Sequence, residues 1–378
     1  MADKRLGRSD EAFSHVPEEH GRSNEVTVQA KYLERLVLCV DAGGTSCRAA
    51  LLSANGEIAS SIGGPCNVTT SGLDVTLVTI SKVVQDAINN HQETRGQPLR
   101  KITFSQVWVG LAGYDRPSLK PHIDAALSEL FRLPLNKGLK VSSDIDLLPA
   151  ALSSRQNITS AIVLVVGTGA IAMSYKRDGN EFQRIGRAGG WGRLFGDDGS
   201  GYATGREGIR KALRHCDLHC LKRAIGATPP PFPPLAKAIL EHFQALYPDC
   251  NAENLLGTLL VPKPVLHGQD DGDLLRTKDI ASAASVVISM VTKDLEAKQI
   301  MESGADSVAE LVKILVKEQS IDVARCALVL GGGLMKASVY KESVLSHIET
   351  YSGEFSYIAS VDQPVIAGVR HLLDCKQN

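Results

Sequence analysis

The chain lacks any run approaching the roughly 20 consecutive apolar residues that a membrane-spanning helix needs, and its first thirty residues carry no apolar signal core. A cytoplasmic protein is expected. It also lacks an excess of either charge: 41 Lys and Arg against 42 Asp and Glu leave a net charge of -1. Binding to nucleic-acid phosphates or anionic lipid needs a basic surplus, so neither is an expected partner. The eight cysteines are scattered through 378 residues rather than packed as in small secreted domains, and they read as reduced thiols. Residues 1–32 have few large apolar side chains among many charged and polar ones, too few to offset the cost of ordering. A disordered N-terminal arm is expected there.

What the chain does have is 43% hydrophobic residues, enough at this length for about two domains. The run LVLCV, starting at Leu36, reads as a buried strand and begins the fold. An internal echo follows: AGGTSCRAALLSANGEIASSIGG (residues 42–64) resembles VGTGAIAMSYKRDGNEFQRIGRAGG (residues 166–190). Each copy reads strand, Gly/Thr turn, strand, hairpin, strand, with Thr45 to Gly56 and Thr168 to Gly179 both eleven residues apart. Asn55-Gly56 and Asp178-Gly179 suggest type I′ turns. Helix and strand patterns alternate after each copy, which argues an α/β fold with mixed sheets and two similar halves. A long helical tract, residues 279–317, carries Gly304 near its middle, where a break between two helices is expected.

Several motifs carry chemistry. Asp41-Ala-Gly-Gly-Thr45 places free backbone N–H groups at a strand end, as a phosphate cradle would, although a plain tight turn also explains the glycines. Gly167-Thr168-Gly169 repeats the device, and two such loops facing each other strengthen the phosphate reading. The segment from Gly189 to Gly201 packs six glycines and two acidic residues into thirteen positions, a density that shapes a ligand site better than it serves folding. Asp198 or Ser200 there could equally be the cap of the next helix. Asp144 stands just past a strand's carboxyl end, where α/β sheets place ligands and a carboxylate can accept a hydroxyl proton. Asp146, two residues on, is the competing candidate, but at the start of the next helix it reads better as a favourable N-terminal charge. Gly331-Gly332-Gly333 after CALVL fits either close nucleotide approach or a turn.

Taken in order, LCVDAGGTSCRAALL, VWVGLAGYDRP, VSSDIDLLPAAL, VVGTGAIA, GGWGRLFGDDGSGY and LVLGGG resemble the BadF/BadG/BcrA/BcrD group of the sugar kinase/Hsp70/actin superfamily, nearest to its N-acetylglucosamine kinases. The resemblance implies two RNase H-like, actin-like ATPase domains around a central cleft, divided at 33–152 and 153–378, with a last helix at 364–376 packing back on the first domain. It implies ATP and Mg2+, and transfer of phosphoryl to N-acetylglucosamine to give the 6-phosphate. The alternatives are another hexosamine, N-acetylmuramate, or a nucleotide-dependent sugar sensor that transfers nothing. It implies a small-molecule sugar partner and allows a homodimer.

Residue by residue, the resemblance implies that Gly43, Gly44 and Thr45 form the first phosphate loop and Thr168 and Gly169 the second, with Asp41 at the metal. Asn67 would contact the sugar, Asp144 would be the catalytic carboxylate, and Gly189, Gly190, Trp191 and Asp197 would line the amino-sugar pocket. Gly331, Gly332 and Leu334 would lie beside adenosine. The second loop departs from the kinases in reading GTGAIA, which leaves its backbone role intact but removes polar side chains. No CxxC pair of the kind that binds the iron–sulfur cluster in the group's activators is present.

Overall fold

A computed structural model of the chain describes residues 36–261 and 272–374. The expected arm at 1–32 and the last two positions of the helix expected at 364–376 lie outside the described residues.

Each half builds one mixed five-stranded sheet along the same path. In the first, β1 (Val37–Ala42), β2 (Cys47–Leu52), β3 (Ile58–Gly63), β4 (Gln106–Leu111) and β5 (Leu139–Ser142) lie in the order β3-β2-β1-β4-β5. The first three are an antiparallel meander, while β4 and β5 return parallel to β1, as crossover connections through helices require. Those crossovers are α1 (Val68–Ser71) with α2 (Leu73–Asn90), and then α3 (Lys120–Phe131). The second sheet repeats the path with β6 (Ser160–Val166), β7 (Ala170–Asp178), β8 (Glu181–Gly189), β9 (Cys326–Gly331) and β10 (Tyr357–Ser360), ordered β10-β9-β6-β7-β8. The echo in the sequence is a repeated fold.

Between β8 and β9 the second half inserts α4 (Gly201–Ala224), α5 (Pro234–Leu246), α6 (Leu255–Leu260), α7 (Gly272–Met290) and α8 (Leu295–Glu318); α9 (Ser338–Ser352) precedes β10 and α10 (Pro364–Asp374) follows it. The helix break falls at residues 291–294 and not at Gly304, which stays inside α8. Asp294 starts α8 by accepting hydrogen bonds from Glu296 N at 2.8 Å and Ala297 N at 3.2 Å, the usual contribution of an acidic N-cap. Gly304 has a packing reason: a Cβ there would stand 3.1 Å from Gly199 Cα, so the glycine lets the loop before α4 touch the helix. Neither hairpin turn is type I′, which needs two successive positive φ values. Gly56 (φ 89°) and Gly179 (φ 59°) have them, but Asn55 and Asn180 do not. The Asn55 side chain closes its turn by accepting from Ser53 Oγ at 2.6 Å and Glu57 N at 2.9 Å.

Because side chains alternate along a strand, β1 sends Leu36, Leu38 and Val40 toward α2 and Val37 and Cys39 toward the opposite face. That opposite face is covered by α10, through Val365, Val369 and Leu372, and by a 3-10 helix, Asp144–Leu152, that connects the two sheets. The connector serves both halves: Leu147 packs with Val37, Cys39 and Trp108, while Leu148 and Leu152 pack with Ala161, Val163 and Val329 of the second sheet. The other face of the second sheet is covered by α8 and α9. Among the described residues no helix is long and apolar enough to cross a membrane.

Candidate active site

β1 is paired on both sides, so its carboxyl end is fixed, and Asp41 sits one residue before that end, 8% exposed. The chain then turns through Gly43, Gly44 and Thr45. The turn is closed by Gly43 N donating to Ser46 O at 3.1 Å and by Cys66 N donating to Gly43 O at 2.9 Å, while Gly44 and Thr45 remain exposed. Asp144 reaches the same turn from the end of β5. Gly110 on β4 permits the approach, since a Cβ there would stand 2.5 Å from Leu147 Cδ1 and 3.1 Å from Asp144 Cα.

The two carboxylates converge over Gly43: a Cβ on that residue would lie 3.7 Å from Asp41 Oδ1 and 3.9 Å from Asp144 Oδ2. Asp144 Oδ1 is committed, accepting from Ser143 Oγ at 3.2 Å and Ile145 N at 3.1 Å, so Oδ2 is the oxygen turned to the loop. Burial raises the Asp144 pKa above the ordinary carboxylate range against these hydrogen bonds. Burial, and next the charge of Asp144, push Asp41 up to about 7, with Arg48 opposing. The Arg48 guanidinium stands 3.7 Å from Asp41, too far for a good hydrogen bond.

Asn67 lies beside this loop, its Nδ2 3.9 Å from where a Gly44 Cβ would be. Its Oδ1 accepts from Thr69 N at 3.0 Å and Thr69 Oγ1 at 2.8 Å, capping α1, so the Nδ2 group is the part left for a ligand.

In the second half Gly167, Thr168 and Gly169 join β6 to β7, and the start of α4 rests on them: Gly201 N donates to Gly167 O at 2.7 Å and Tyr202 N to Thr168 O at 3.2 Å. Ser200 is the cap of that helix, accepting from Ala203 N at 3.2 Å, whereas Asp198 is exposed. Asp197 lies against the loop, with its Oδ2 2.8 Å from a hypothetical Gly169 Cβ. Burial, the main influence, raises its pKa. Gly189 is buried behind this loop and Gly190 is half-buried, while Trp191 is 69% exposed and lies over Gly196.

The three-glycine turn packs beside the second loop, where a Gly332 Cβ would stand 2.3 Å from Val166 O. Gly331 itself is buried in β9, Gly332 and Gly333 carry the accessible backbone, and Leu334 packs partly into the core beneath α8 and α9. The structure thus gathers Asp41, the first loop, Asn67 and Asp144 on one side, and the second loop, Asp197, the 189–191 segment and the glycine turn on the other. A cavity of about 490 Å³ lies elsewhere, bounded by Ser153, Gln363, Arg370 and His371, and contains none of these residues.

A family model described as the BadF/BadG/BcrA/BcrD ATPase family matches residues 38–369. The chain belongs to that family. Its relatives include the N-acetyl-D-glucosamine kinase of Dictyostelium discoideum, 28% identical over 186 residues, which is 49% of this chain and 56% of that enzyme. The chain thus spans little more than half the length of that relative. The N-acetylmuramic acid/N-acetylglucosamine kinase of Clostridium acetobutylicum is 27% identical over 307 residues, 80% of this chain and 86% of the enzyme. A Chromobacterium violaceum structure assigned as an N-acetylglucosamine kinase superposes with a TM-score of 0.57 at 19% identity, covering 89% of this chain and 99% of its own. One from Porphyromonas gingivalis, similarly assigned, gives 0.57 at 16% identity with the same coverage. Both likenesses bear on the fold alone, an α/β architecture of two similar halves.

Two site features went unread in the sequence. Asp146 is more than a helix-start charge: it accepts from Ser143 N at 3.1 Å, from the Tyr175 hydroxyl at 2.8 Å and from Arg184. Arg184, on β8, gives no motif signal, because its partners come from distant segments.

Proposed function

We propose that the chain is an ATP-dependent sugar kinase that phosphorylates the 6-hydroxyl of N-acetylglucosamine. The observation that carries the reading is the convergence of two carboxylates, the buried Asp41 and the half-buried Asp144, over the first glycine turn in a member of this ATPase family. Phosphoryl transfer has a loose transition state, so the protein mainly aligns reactants and stabilises charge. The Gly43, Gly44, Thr45 and the Thr168, Gly169 turns bind phosphate through backbone N–H groups, and the Gly332 turn lies beside the nucleoside. Asn67 Nδ2, Asp197 and the Gly189, Gly190, Trp191 segment orient the sugar. Asp144 Oδ2 accepts the hydroxyl proton as the sugar oxygen bonds to the γ-phosphorus and ADP leaves.

The acidic pair fits a divalent cation, since Arg48, 3.7 Å from Asp41, offsets its charge only in part and the two carboxylates face the same turn. Asp41 would hold Mg2+, which supplies neutralisation of the charge on the transferring phosphate.

A second reading, that N-acetylmuramate is also a substrate, is favoured by the exposed Arg187, whose guanidinium donates to the carbonyls of Gly189 and Gly190 and so brings a cation to the edge of the proposed sugar pocket. A panel of sugars with ATP, read by ADP release and by the phosphorylated product, tests both readings. Sugar-independent ADP release with no phosphorylated sugar would instead mark a nucleotide-dependent sensor.

A further inference from the structure

Arg184 projects from β8, the outer strand of the second sheet, and its guanidinium meets two carboxylates of the preceding half at once. Nη1 and Nη2 donate to Asp115 at 2.6 and 3.0 Å, and Nε and Nη2 donate to Asp146 at 3.1 and 2.7 Å. A planar fork of this kind fixes geometry as well as charge, which a lysine cannot do.

Each carboxylate belongs to a turn at the proposed site. Asp115 follows β4 in a turn whose Gly113 presses on Asn67: a Cβ on Gly113 would stand 2.8 Å from Asn67 Oδ1, and Asn67 bridges to Ala112. Asp146 closes the turn that holds Asp144, by accepting from Ser143 N, and β7 supports it through the Tyr175 hydroxyl. One side chain of the second half therefore ties the turn behind Asn67 to the turn that carries Asp144. The other ion pair along β8, Lys140 with Glu181 at 3.0 Å, touches neither turn. Exposed pairs contribute little to stability, and the Arg184 network, with Asp146 only 17% exposed at its side chain, is more buried than that one.

We infer that Arg184 is a positioning residue: from across the junction of the two halves it holds the Asn67 turn and the Asp144 turn in register, so that sugar-orienting and proton-accepting groups align when the halves are docked. What the alignment serves rests on the kinase reading.

Hydrogen exchange on the full chain tests the inference without any activity. In Arg184→Met, peptides covering residues 111–117 and 143–148 should exchange together about 10-fold faster or more, since each opening is no longer opposed by the shared ion pair. Arg184→Lys should fall between, and it keeps the test open where the Met variant does not fold. Glu181→Gln, the control on the same strand, should match the parent protein in both turns. In sugar phosphorylation, Arg184→Met should lower kcat by roughly 10²-fold, the effect of a small misplacement of reacting groups, while the KM for ATP stays within about threefold and Arg184→Lys recovers part of the loss.

Unchanged exchange in either turn overturns the inference, and so does loosening of both turns with an unchanged kcat. Equal effects from Glu181→Gln would reduce Arg184 to a general tie between the halves, which also overturns it. If the parent protein phosphorylates no sugar, the kinase reading fails while the exchange result still decides whether Arg184 orders the two turns.

Discussion

The two halves can be compared position by position because their sheets follow one path. One residue before the end of its first strand the first half has Asp41, buried; the second half has Val165. Two residues past its last strand the first half has Asp144, half-buried against the glycine turn; the second half has Asp362 at the matching place, exposed and paired with Lys336 at 3.1 Å. Both halves keep the glycine turn after the first strand. The repeated backbone therefore supplies the glycine turn twice, whereas the facing pair of carboxylates was built once. Desolvation marks the difference, because a carboxylate pressed into the junction has its pKa raised.

Asp144→Asn against Asp362→Asn is the strongest way to break this comparison. Losing the proton acceptor should lower turnover by roughly 10²-fold or more with only a modest change in sugar KM, while the exposed Asp362 change should leave turnover within about twofold. Steady-state kinetics on both variants decides it, and equal losses would mean the halves share the chemistry.

The connector offers a second contrast. Leu147→Ala and Leu148→Ala are neighbours in sequence that face opposite sheets, and each should cost about 2–5 kcal/mol in denaturant unfolding as a buried leucine truncation. Separate unfolding transitions, with each variant shifting a different one, would show halves that unfold apart; a single shifted transition would show that the connector makes them one unit.

Gly304→Ala should cost about 1–3 kcal/mol by forcing α8 away from Gly199. Because that contact seats the segment from Trp191 to Gly201, its KM effect should fall on the sugar more than on ATP.

The smallest expected effect is a pH dependence at the Asp41 corner of the first half. The pKa of Asp41, raised to about 7 in the folded chain, means its contribution to stability is complete below about pH 4 and is lost as pH rises through 7. Asp144 is shifted in the same direction and Arg48 opposes. The thermal stabilisation given by Mg2+ should therefore grow from pH 6 to pH 8, and Asp41→Asn should flatten that growth in a melting series.

Much of the fold was legible before any coordinates. Continuous apolar runs leading into glycine turns mark β1 and β6, and the equal spacing from Thr45 to Gly56 and from Thr168 to Gly179 announces the repeat. The failures were local. Gly304 was read as a helix break because glycine is a poor helix former in isolation, yet the competing force was a close packing contact with a residue more than a hundred positions earlier. The I′ turns were inferred from Asn-Gly and Asp-Gly pairs, but Asn55 spends its side chain on Ser53 and Glu57 and keeps a negative φ. Asp146 was undervalued because a helix-start acid needs no partner to be explained.

The amino-acid sequence by itself determined the repeated α/β plan, the two glycine turns and the candidate carboxylates, because strand burial, turn conformation and backbone exposure are set by residues a few positions apart. Tertiary structure alone decided that Asp41 and Asp144 share one corner over the glycine turn, that Asp362 does not, and that Arg184 grips the turns behind Asn67 and around Asp144. Those outcomes depend on desolvation and charge pairing between distant segments, and these quantities exist only once the chain has brought the segments together.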